Sequence, residues 1–434
     1  MENYNVGDLV SEFLYQMGVK DVFGVVSVHN IPMLDAIGRR NFIKMVPARG
    51  EMGAGHMADG YARATNGLGV VFTSTGPGAA NVAGSLVESR FAGSPILHFT
   101  GQTATENLDK NQGTVHDVPD QLGMLKSISK KAIRISHADD ALAQLIEATT
   151  IALTPPMGPV SVEIPIDIQR TNIKRPSMLD QIKLPIINLQ IGDTSSLDQI
   201  ESIIRASKRK ILWVGNGGKF ARNEVEQFIK MGFSVVTSAL GRGVVPESNQ
   251  MSLGAFNAVP LIEEFYKTLD LMIVVGSRLR GHETRDMSLK LPRKIIQIDI
   301  DPDAENRTYK TNLFHCGDAK KVLGELAHRL SNQLSTDEEW VNEVADLKIK
   351  IFQDYKKNLG AYKDFPEIIR KILPEDGNWV RDITISNSMW GNRSMLINKP
   401  EQNIYPVGAA IGPGMALAIG VSVGSEGKKT IAMC

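Results

Sequence analysis

The sequence predicts an α/β protein in which parallel sheets are flanked by helices, with about three domains and the last one incomplete. Short apolar, β-branched runs alternate with helical patterns along most of the chain, which is typical of parallel sheets. Glycine-rich turns follow several of these runs at points where helices begin, as at the carboxyl edge of such a sheet. The length of 434 residues exceeds one typical domain and fits about three.

Composition narrows the functional classes. The chain has 48 basic and 48 acidic residues, so no overall field draws it to nucleic acid or to a membrane surface. No apolar run reaches the ~18 residues that span a bilayer, and the first residues lack the pattern of a signal peptide. Cys316 and Cys434 are too few for a disulfide framework or a zinc site. We therefore expect a cytoplasmic protein that binds neither nucleic acid nor membrane.

The first predicted domain covers residues 1–175. It begins with an amphipathic helix from Val6 to Gly18 and continues with alternating strands and helices. Its last strand lies within residues 155–165, and the prolines around it predict a position at the sheet edge. The remaining predicted strands of this domain are Val22–Val26, Phe42–Val46, Leu68–Thr73 and Ile96–Thr100.

The most informative stretch is the helix that opens near Arg49. Glu51 occupies its first turn, where the helix dipole favours a carboxylate. Small residues then recur at helical spacing and leave one face almost without side-chain bulk. Each glycine costs a helix up to about 1 kcal/mol relative to alanine, so we expect close packing against this face. The small residues are Gly53, Ala54, Ala58 and Ala62.

The second predicted domain covers residues 190–335 and the third residues 360–434. The second contains the strands Lys210–Val214, Phe233–Thr237, Leu271–Val275 and Lys294–Asp301 with helices between them, which predicts a Rossmann-like sheet. Its turn at Gly215–Gly218 lacks the spacing of a dinucleotide fingerprint. In the third, residues 408–420 form a glycine- and alanine-rich segment that we expect to be helical.

Several of these segments occur in an order that resembles a known family. Gly50-Glu51, the helix ending in Gly60–Arg63 and the turn Thr75–Asn81 are similar to the pyrimidine-binding domain of thiamine-diphosphate enzymes. The resemblance is to the group of acetolactate synthase, benzoylformate decarboxylase and oxalyl-CoA decarboxylase. It implies that Glu51 is the catalytic residue and hydrogen-bonds N1′ of the cofactor aminopyrimidine. It also implies cofactor contacts at Val26, Thr75, Gly76, Pro77, Asn81, Asn387, Gly408 and Ile411.

The resemblance places the substrate pocket on two loops. Val28 and His29 follow the first strand, where Val26-Ser27 stands in place of the family's Pro-Gly. His116 and Gln121 belong to a loop that in relatives leans over the cofactor of the neighbouring subunit. A plain solvated loop remains the alternative for both segments.

The same resemblance leads to expectations about metal and nucleotide binding. In the family, a strand like Lys429–Cys434 leads into Gly-Asp-Gly and a later Asn, which carry the Mg²⁺ that grips the diphosphate. This sequence has none of them, so we expect a truncated chain with the Mg²⁺ ligands beyond Cys434 and no metal ligand within it. FAD or ADP in the central domain is expected to be absent, because Leu253–Phe256 replaces the family's flavin-associated Gly-Met-His-Gly.

The expected function is cleavage or formation of a C–C bond beside the carbonyl of a small 2-oxo acid or related compound, by decarboxylation or carboligation. A homodimer or homotetramer is implied, because in the family two chains complete each site. One alternative is a non-catalytic relative that uses the fold for binding or assembly, supported by the altered turn at Val26-Ser27 and the missing metal motif. Another alternative is an NAD-dependent oxidoreductase, but this sequence lacks the glycine fingerprint of dinucleotide binding.

Overall fold

The structure is a computed structural model, and it describes residues 4–110, 112–331 and 336–434. The chain divides into two compact units. Unit 1 contains the residues up to Ile187 together with Asn378–Ile383 and Ile404–Cys434. Unit 2 contains Asn188–Gly377 and Thr384–Asn403. The predicted domain limits at residues 1 and 335 lie outside the described residues.

The main sheet of unit 1 is parallel, with the strand order β2-β1-β3-β4-β6-β5. Valine, isoleucine and phenylalanine dominate its central strands, which are buried on both faces as in other covered parallel sheets. This arrangement confirms the predicted fold class. The strands are β1 (Asp21–Gly24), β2 (Lys44–Pro47), β3 (Gly69–Thr73), β4 (Ile96–Gln102), β5 (Lys131–Arg134) and β6 (Val160–Pro165).

Helices pack against this sheet, and the first of them is capped by Asn5, whose side chain accepts the backbone N–H of Asp8 in a capping box. The same helix, α1, ends within two residues of the predicted position. The helices of this part of the chain are α1 (Val6–Gln16), α2 (Ile31–Arg40), α3 (Glu51–Thr65), α4 (Pro77–Asn81), α5 (Ala83–Ala92), α6 (Gln121–Ile128), α7 (Ala141–Leu153) and α8 (Ile166–Arg170).

The predicted edge position of β6 is wrong. This strand lies between β4 and β5, and it pairs with both in parallel register. Its proline lies at the last position, Pro165, so the interior of the hydrogen-bonded ladder is not interrupted. The sequence did not predict β5, a four-residue strand with a charged residue at each end, and β5 takes the edge instead.

Unit 2 has its own parallel sheet, with the strand order β11-β10-β9-β7-β8. The alternation of strands and helices predicted for this region is confirmed. The strands are β7 (Lys210–Val214), β8 (Phe233–Thr237), β9 (Leu271–Val275), β10 (Ile295–Asp299) and β11 (Leu313–Cys316). The helices are α9 (Thr194–Ala206), α10 (Arg222–Lys230), α11 (Pro260–Tyr266), α12 (Ala319–Leu330), α13 (Glu338–Lys357) and α14 (Phe365–Ile372).

A buried ion pair ties the segment 384–403 to the rest of unit 2. The guanidinium of Arg242 is fully buried and donates to both carboxylate oxygens of Glu247, at 2.6 and 2.7 Å. It also donates to the carbonyl of Gly391 at 3.0 Å, while Glu247 accepts the N–H of Ile397 at 2.9 Å. A buried guanidinium needs this number of acceptors, and here they fix the path of the chain after residue 390.

The last part of the chain adds a small sheet with the order β13-β12-β14 and the helix α15. The predicted helix over residues 408–420 begins later than expected, at Gly414, because Ala409 and Gly412 have positive φ values of 66° and 103° that a right-handed helix cannot contain. Residues 408–413 are a loop. The elements are β12 (Asn378–Arg381), β13 (Asn403–Ile404), α15 (Gly414–Gly424) and β14 (Thr430–Met433).

Of the small face predicted on α3, Ala54, Ala58 and Ala62 are buried, whereas nothing lies within 4 Å of a Cβ built on Gly53; the closest approach is at Gly60. A Cβ on Gly60 would lie 2.2 Å from the carbonyl oxygen of Leu417 on α15. In return, a Cβ on Gly420 would lie 1.8 Å from the carbonyl oxygen of Met57 on α3. The two backbones therefore touch, and the dispersion contacts along this crossing offset the low helix propensity of glycine.

Candidate functional site

Glu51 is the first residue of α3, directly after Gly50, whose extended backbone forms the helix N-cap. Its side chain is buried, although it carries an ionisable group. The amide nitrogen of Asn81, at the end of α4, donates to Glu51 Oε2 at 3.2 Å. The helix dipole and this hydrogen bond both favour a carboxylate at this position.

Gly78 allows the backbone at the start of α4 to approach the other carboxylate oxygen of Glu51, Oε1. A Cβ on Gly78 would lie 2.7 Å from Glu51 Oε1 and 2.6 Å from the Cβ of Ser74. Any side chain at residue 78 would therefore displace the carboxylate. The turn between β3 and α4, Thr75–Gly78, and the start of α3 form one structural feature at the carboxyl end of β3.

The turn Thr75–Gly78 has a conformation that requires glycine. Gly76 has φ +56° and ψ −113°, and a Cβ there would lie 2.3 Å from the carbonyl oxygen of His116. Thr75 is fully buried, whereas Pro77, the first residue of α4, is exposed. The predicted residues Thr75, Gly76, Pro77 and Asn81 thus belong to one turn and the short helix after it, and Asn81 contacts Glu51.

The side chain of Gln121 is hydrogen-bonded to this turn. Its amide oxygen accepts the N–H of Gly76 at 2.6 Å and the hydroxyl of Thr75 at 2.9 Å. Its amide nitrogen donates to Glu163 Oε2 at 2.7 Å and to the carbonyl of Gly101 at 3.2 Å. Gln121 is buried, and both ends of its amide are engaged within the protein.

The sequence reading did not identify Glu163. This carboxylate is fully buried on β6 and is bonded to the guanidinium of Arg134 on β5. Burial raises the pKa of the Glu163 carboxyl, while the Arg134 guanidinium and the Gln121 hydrogen bond lower it. A charged residue in the middle of the apolar run Val160–Pro165 was the available signal, because such a residue is buried only with a partner.

Asn30 shapes the loop that follows β1. Its side chain donates to the carbonyls of Val25 and Thr73, at 2.9 and 3.0 Å, and accepts the N–H of Ser27 at 2.9 Å. The hydroxyls of Ser27 and Ser74 are 2.7 Å apart, which joins this loop to the turn beside Glu51. Two further predicted residues on the loop, Val26 and Val28, are exposed, at 62% and 61%.

The structure brings the two predicted histidines together. Nδ1 of His29 and Nδ1 of His116 are 3.3 Å apart, and the rings meet edge to face with centroids separated by 5.1 Å. Burial lowers the pKa of His29, and the positive charges of His116 and Arg170 lower it further. His116 has a positive φ of 67°, which is uncommon for a residue with a side chain.

The predicted residues of the last segment fall in different places. Asn387 is buried in a π-helical turn, Asn387–Gly391, that belongs to unit 2. Gly408 lies in the loop before α15 in unit 1, and its N–H donates to Glu88 Oε1 at 2.7 Å. Ile411 lies in the same loop and is 84% exposed.

Two carboxylates that the sequence reading missed anchor this loop. Burial raises the pKa of Glu88, the partner of Gly408, while hydrogen bonds from the loop backbone lower it. Asp382, which follows β12, accepts the N–H groups of Gly412 at 3.0 Å and Gly414 at 3.1 Å. The exposed Ile411 is therefore held by fixed backbone on both sides.

The described residues contain neither a cluster of metal-ligating side chains nor a helix that could span a membrane. Within them, no three or more His, Cys, Asp or Glu side chains are grouped so that they could hold a metal ion. Among the helices of the described ranges, none combines the length and the apolar character needed to cross a bilayer.

Unit 1 is thus an α/β unit with a buried carboxylate beside a glycine turn at the carboxyl edge of its parallel sheet, the edge at which α/β folds of this kind bind ligands. Residues 4–124 match the family described as thiamine pyrophosphate enzyme, N-terminal TPP binding domain, and residues 197–326 match its central domain. Together the two matches cover more than half of the chain. The chain belongs to the thiamine pyrophosphate enzyme family.

Individual relatives are similar over nearly the whole chain. The acetolactate synthase large subunit of Corynebacterium glutamicum is 27% identical over 440 residues, covering 97% of this chain and 68% of the relative. Acetolactate synthase 2, chloroplastic, of Nicotiana tabacum is 27% identical and covers 96% and 64%. A probable 2-ketoarginine decarboxylase of Pseudomonas aeruginosa is 27% identical and covers 96% and 75%. The chain thus spans about two thirds of the length of these acetolactate synthases.

Proposed function

We propose that this protein is a thiamine-diphosphate-dependent enzyme that cleaves or forms the C–C bond beside the carbonyl of a small 2-oxo acid. The observation that carries the proposal is the buried Glu51 carboxylate at the start of α3, with its amide partner Asn81 and the close turn at Gly78. The relatives named as acetolactate synthases and as a 2-ketoarginine decarboxylase support the same reaction class.

The residues around Glu51 fit the aminopyrimidine part of the cofactor. A pyrimidine ring has polar edges and apolar faces. A site for it therefore needs a carboxylate that can hydrogen-bond N1′ at one edge and apolar side chains beside the face of the ring. Glu51 provides the carboxylate, and the loop of Val26 and Val28 provides exposed apolar side chains. That loop joins the turn beside Glu51 through the Ser27–Ser74 hydrogen bond. When bound, thiamine diphosphate supplies the nucleophilic carbon and the electron sink of the reaction.

The protein's own contribution is to hold and move protons. Glu51 would share a proton with N1′ of the ring, while Asn81 keeps the carboxylate oriented. Gln121 fixes the backbone of Thr75 and Gly76 through hydrogen bonds inside the protein. We assign Gln121 a positioning role, and we keep His29 and His116 as the polar groups of the substrate pocket.

Two alternatives receive less support. A non-catalytic binding protein does not require a carboxylate held at a helix start, and the relatives named above are enzymes by name. An NAD-dependent oxidoreductase would place its cofactor at the glycine turns of unit 2. There, a Cβ on Gly217 would lie 2.7 Å from the Cα of Gly276, so contact between two turns accounts for these glycines. The same contact removes a reason to expect FAD or ADP in unit 2.

Self-association is a further part of the proposal. Unit 1 exposes large apolar side chains on adjacent elements: Met52 on α3, Val87 and Phe91 on α5, and Met415 and Ile419 on α15. Phe91 lies beside Gly408, whose Cβ would be 2.8 Å from the ring. We propose that a second copy covers this surface, giving a cytoplasmic homodimer or homotetramer, and that the enzyme uses Mg²⁺ together with thiamine diphosphate. Light scattering of wild type and Phe91→Glu tests the assembly, because monomers in both would contradict it.

The test of the function itself uses the full-length protein with thiamine diphosphate and Mg²⁺. CO₂ release is measured with a panel of 2-oxo acids of increasing side-chain size, beginning with pyruvate. The proposal predicts cofactor-dependent CO₂ release from at least one acid. It also predicts that Glu51→Gln lowers this rate by a factor of about 100 or more, in the range expected for a lost acid–base group, while Glu106→Gln on an exposed turn does not. Full activity in Glu51→Gln would overturn it.

A further inference from the structure

The buried carboxylate of Glu163 is contacted by hydrogen-bond donors on both of its oxygens. Arg134 donates from Nε to Oε1, and the amide nitrogens of Gln121 and Gln102 donate to Oε2 at 2.7 and 3.5 Å. Glu163 is fully buried, so bulk water does not replace a lost partner. An ionised carboxylate accepts on both oxygens, whereas a protonated carboxyl group or an amide carries a donor at one of the two positions. These contacts therefore require the charged form of Glu163.

The Gln121 amide has one orientation that satisfies its partners. The N–H of Gly76 donates to it at 2.6 Å, so the atom that faces Gly76 is the oxygen. The nitrogen then points to Glu163 Oε2, and also to the carbonyl of Gly101 at 3.2 Å. If the group at position 163 were a donor, the amide would lose this partner or turn over. After turning over, its NH₂ group would oppose the N–H of Gly76.

The turn that Gln121 contacts is the one that approaches Glu51. Besides the N–H of Gly76, the Gln121 oxygen accepts the hydroxyl of the fully buried Thr75 at 2.9 Å. Two residues further on, a Cβ on Gly78 would lie 2.7 Å from Glu51 Oε1. A shift of the Gln121 amide would therefore move the turn against the Glu51 carboxylate.

Charged groups from two elements act on Glu163. Burial raises the pKa of its carboxyl, the Arg134 guanidinium on β5 and the hydrogen bond from Gln121 lower it, and the negative charge of Asp109 raises it again. Asp109 is an exposed loop residue that accepts from Arg134 at 2.9 Å. The side chains that approach from β4 and α6, Gln102 and Gln121, are neutral. Because burial is the largest effect, Glu163 takes up a proton in milder acid than an exposed glutamate does.

We infer that Glu163 is a positioning residue for thiamine diphosphate. Its ionised carboxylate orients the Gln121 amide, which holds the turn Thr75–Gly78 in place. The pyrimidine end of the cofactor then meets a fixed turn beside Glu51. The inference rests on the proposed function and adds to it a residue that acts through another side chain. A carboxylate that served only to neutralise Arg134 would affect stability but not cofactor affinity.

The test measures cofactor affinity rather than turnover. The Kd for thiamine diphosphate is determined by calorimetry with the full-length protein and Mg²⁺ at several pH values from 5 to 8. The variants are Glu163→Gln, Gln121→Met and the double variant. The matched control is Glu147→Gln, because Glu147 also pairs with a cation on β5, Lys131, but lies at the surface. The melting temperature without cofactor is recorded for each protein.

We expect Glu163→Gln to raise the Kd at pH 8 by about tenfold or more, as for the loss of a hydrogen bond to a charged group, while Glu147→Gln leaves it unchanged. The double variant should bind within twofold of Gln121→Met, because the carboxylate acts through that amide. The ratio of the Kd of Glu163→Gln to that of wild type should fall toward one at pH 5, where the wild-type carboxyl takes up a proton and resembles the amide.

Three results would each overturn the inference: a Kd of Glu163→Gln within twofold of wild type, losses that add in the double variant, or a Kd ratio that does not change with pH. If Glu163→Gln does not fold, the ratio of Gln121→Met to wild type decides, since it should also fall in acid. A constant ratio there would contradict the inference. Wild-type protein that does not bind thiamine diphosphate would overturn the proposed function itself.

Discussion

The amide nitrogen of Asn81 lies 3.2 Å from Oε2 of Glu51, although the two residues are 30 positions apart on different helices. Glu51 begins α3 and Asn81 ends the short α4, so the hydrogen bond joins the start of one helix to the end of the helix that follows the glycine turn after β3. The turn and the carboxylate are therefore positioned together, and a change in either should alter the other.

Removal of the Asn81 amide should impair the site without unfolding the protein. Asn81 is exposed, so Asn81→Ala leaves no cavity in the core. A hydrogen bond to a charged group contributes about 1.5–3 kcal/mol, so we expect a fall in turnover of about tenfold or more. The measurement is kcat and KM with the melting temperature alongside. Asn188→Ala, at an exposed linker position, is the control, and unchanged kcat in Asn81→Ala would show that the bond is not used.

Gly78→Ala should weaken cofactor binding. The new methyl group would lie 2.7 Å from Glu51 Oε1 and 2.6 Å from the Cβ of Ser74, so the carboxylate or the turn must move. We expect the Kd for thiamine diphosphate, measured by calorimetry, to rise by at least tenfold. Gly53→Ala is a matched control in α3, because nothing lies within 4 Å of its Cβ position. Equal affinities in the two variants would contradict the geometry.

The crossing of α3 and α15 should be sensitive to a single methyl group. Gly60→Ala and Gly420→Ala each force a Cβ into a backbone carbonyl of the facing helix. Overpacking of this kind costs about 1–3 kcal/mol, so both variants should lower the free energy of unfolding measured with urea. Gly38→Ala in α2 has open space around its Cβ and should be neutral or stabilising. Stability equal to wild type in both crossing variants would refute the close approach.

His98 should make the protein less stable in acid. It is fully buried between Thr73 and Ser161, and burial lowers its pKa to about 3. Between its ordinary pKa near 6.5 and about 3, the unfolded chain binds a proton that the folded chain does not. Stability attributable to His98 is therefore complete above about pH 6.5 and falls by about 1.4 kcal/mol for each pH unit below it.

Urea unfolding of wild type and His98→Gln at pH 7, 5.5 and 4.5 checks this dependence. The difference in unfolding free energy between the two proteins should shift in favour of the variant as the pH falls, because glutamine does not titrate. A difference that stays constant over this range would show that folding does not change the pKa of His98.

Local sequence signals predicted the framework well. Apolar β-branched runs identified strands such as β3 and β7, because a parallel sheet buried on both faces needs them. The small residues of α3 predicted close packing, which holds for Ala54, Ala58 and Ala62 but not for Gly53. The ordered motifs around Glu51 and Thr75–Asn81 located the residues that now lie together.

Features that depend on contacts between distant parts of the chain could not be predicted from the sequence. Glu163 acts through partners that are distant in sequence, such as Gln121, so no spacing rule reveals it. The strand β5 has only four residues, two of them charged, so the sequence did not predict it. Without β5, the strand β6 was predicted to lie at the sheet edge. The loop before α15 was read as helix because glycine and alanine are compatible with both, and only the positive φ values separate the two.

A structure of the full-length protein with thiamine diphosphate and Mg²⁺ tests the central claim most directly. The distance from the Glu51 carboxylate to N1′ of the aminopyrimidine is the decisive quantity. We predict a hydrogen bond of about 2.5–3.0 Å, with Asn81 still bonded to the other oxygen. A cofactor bound with its pyrimidine elsewhere, or a Glu51 side chain turned into solvent, would contradict the assignment.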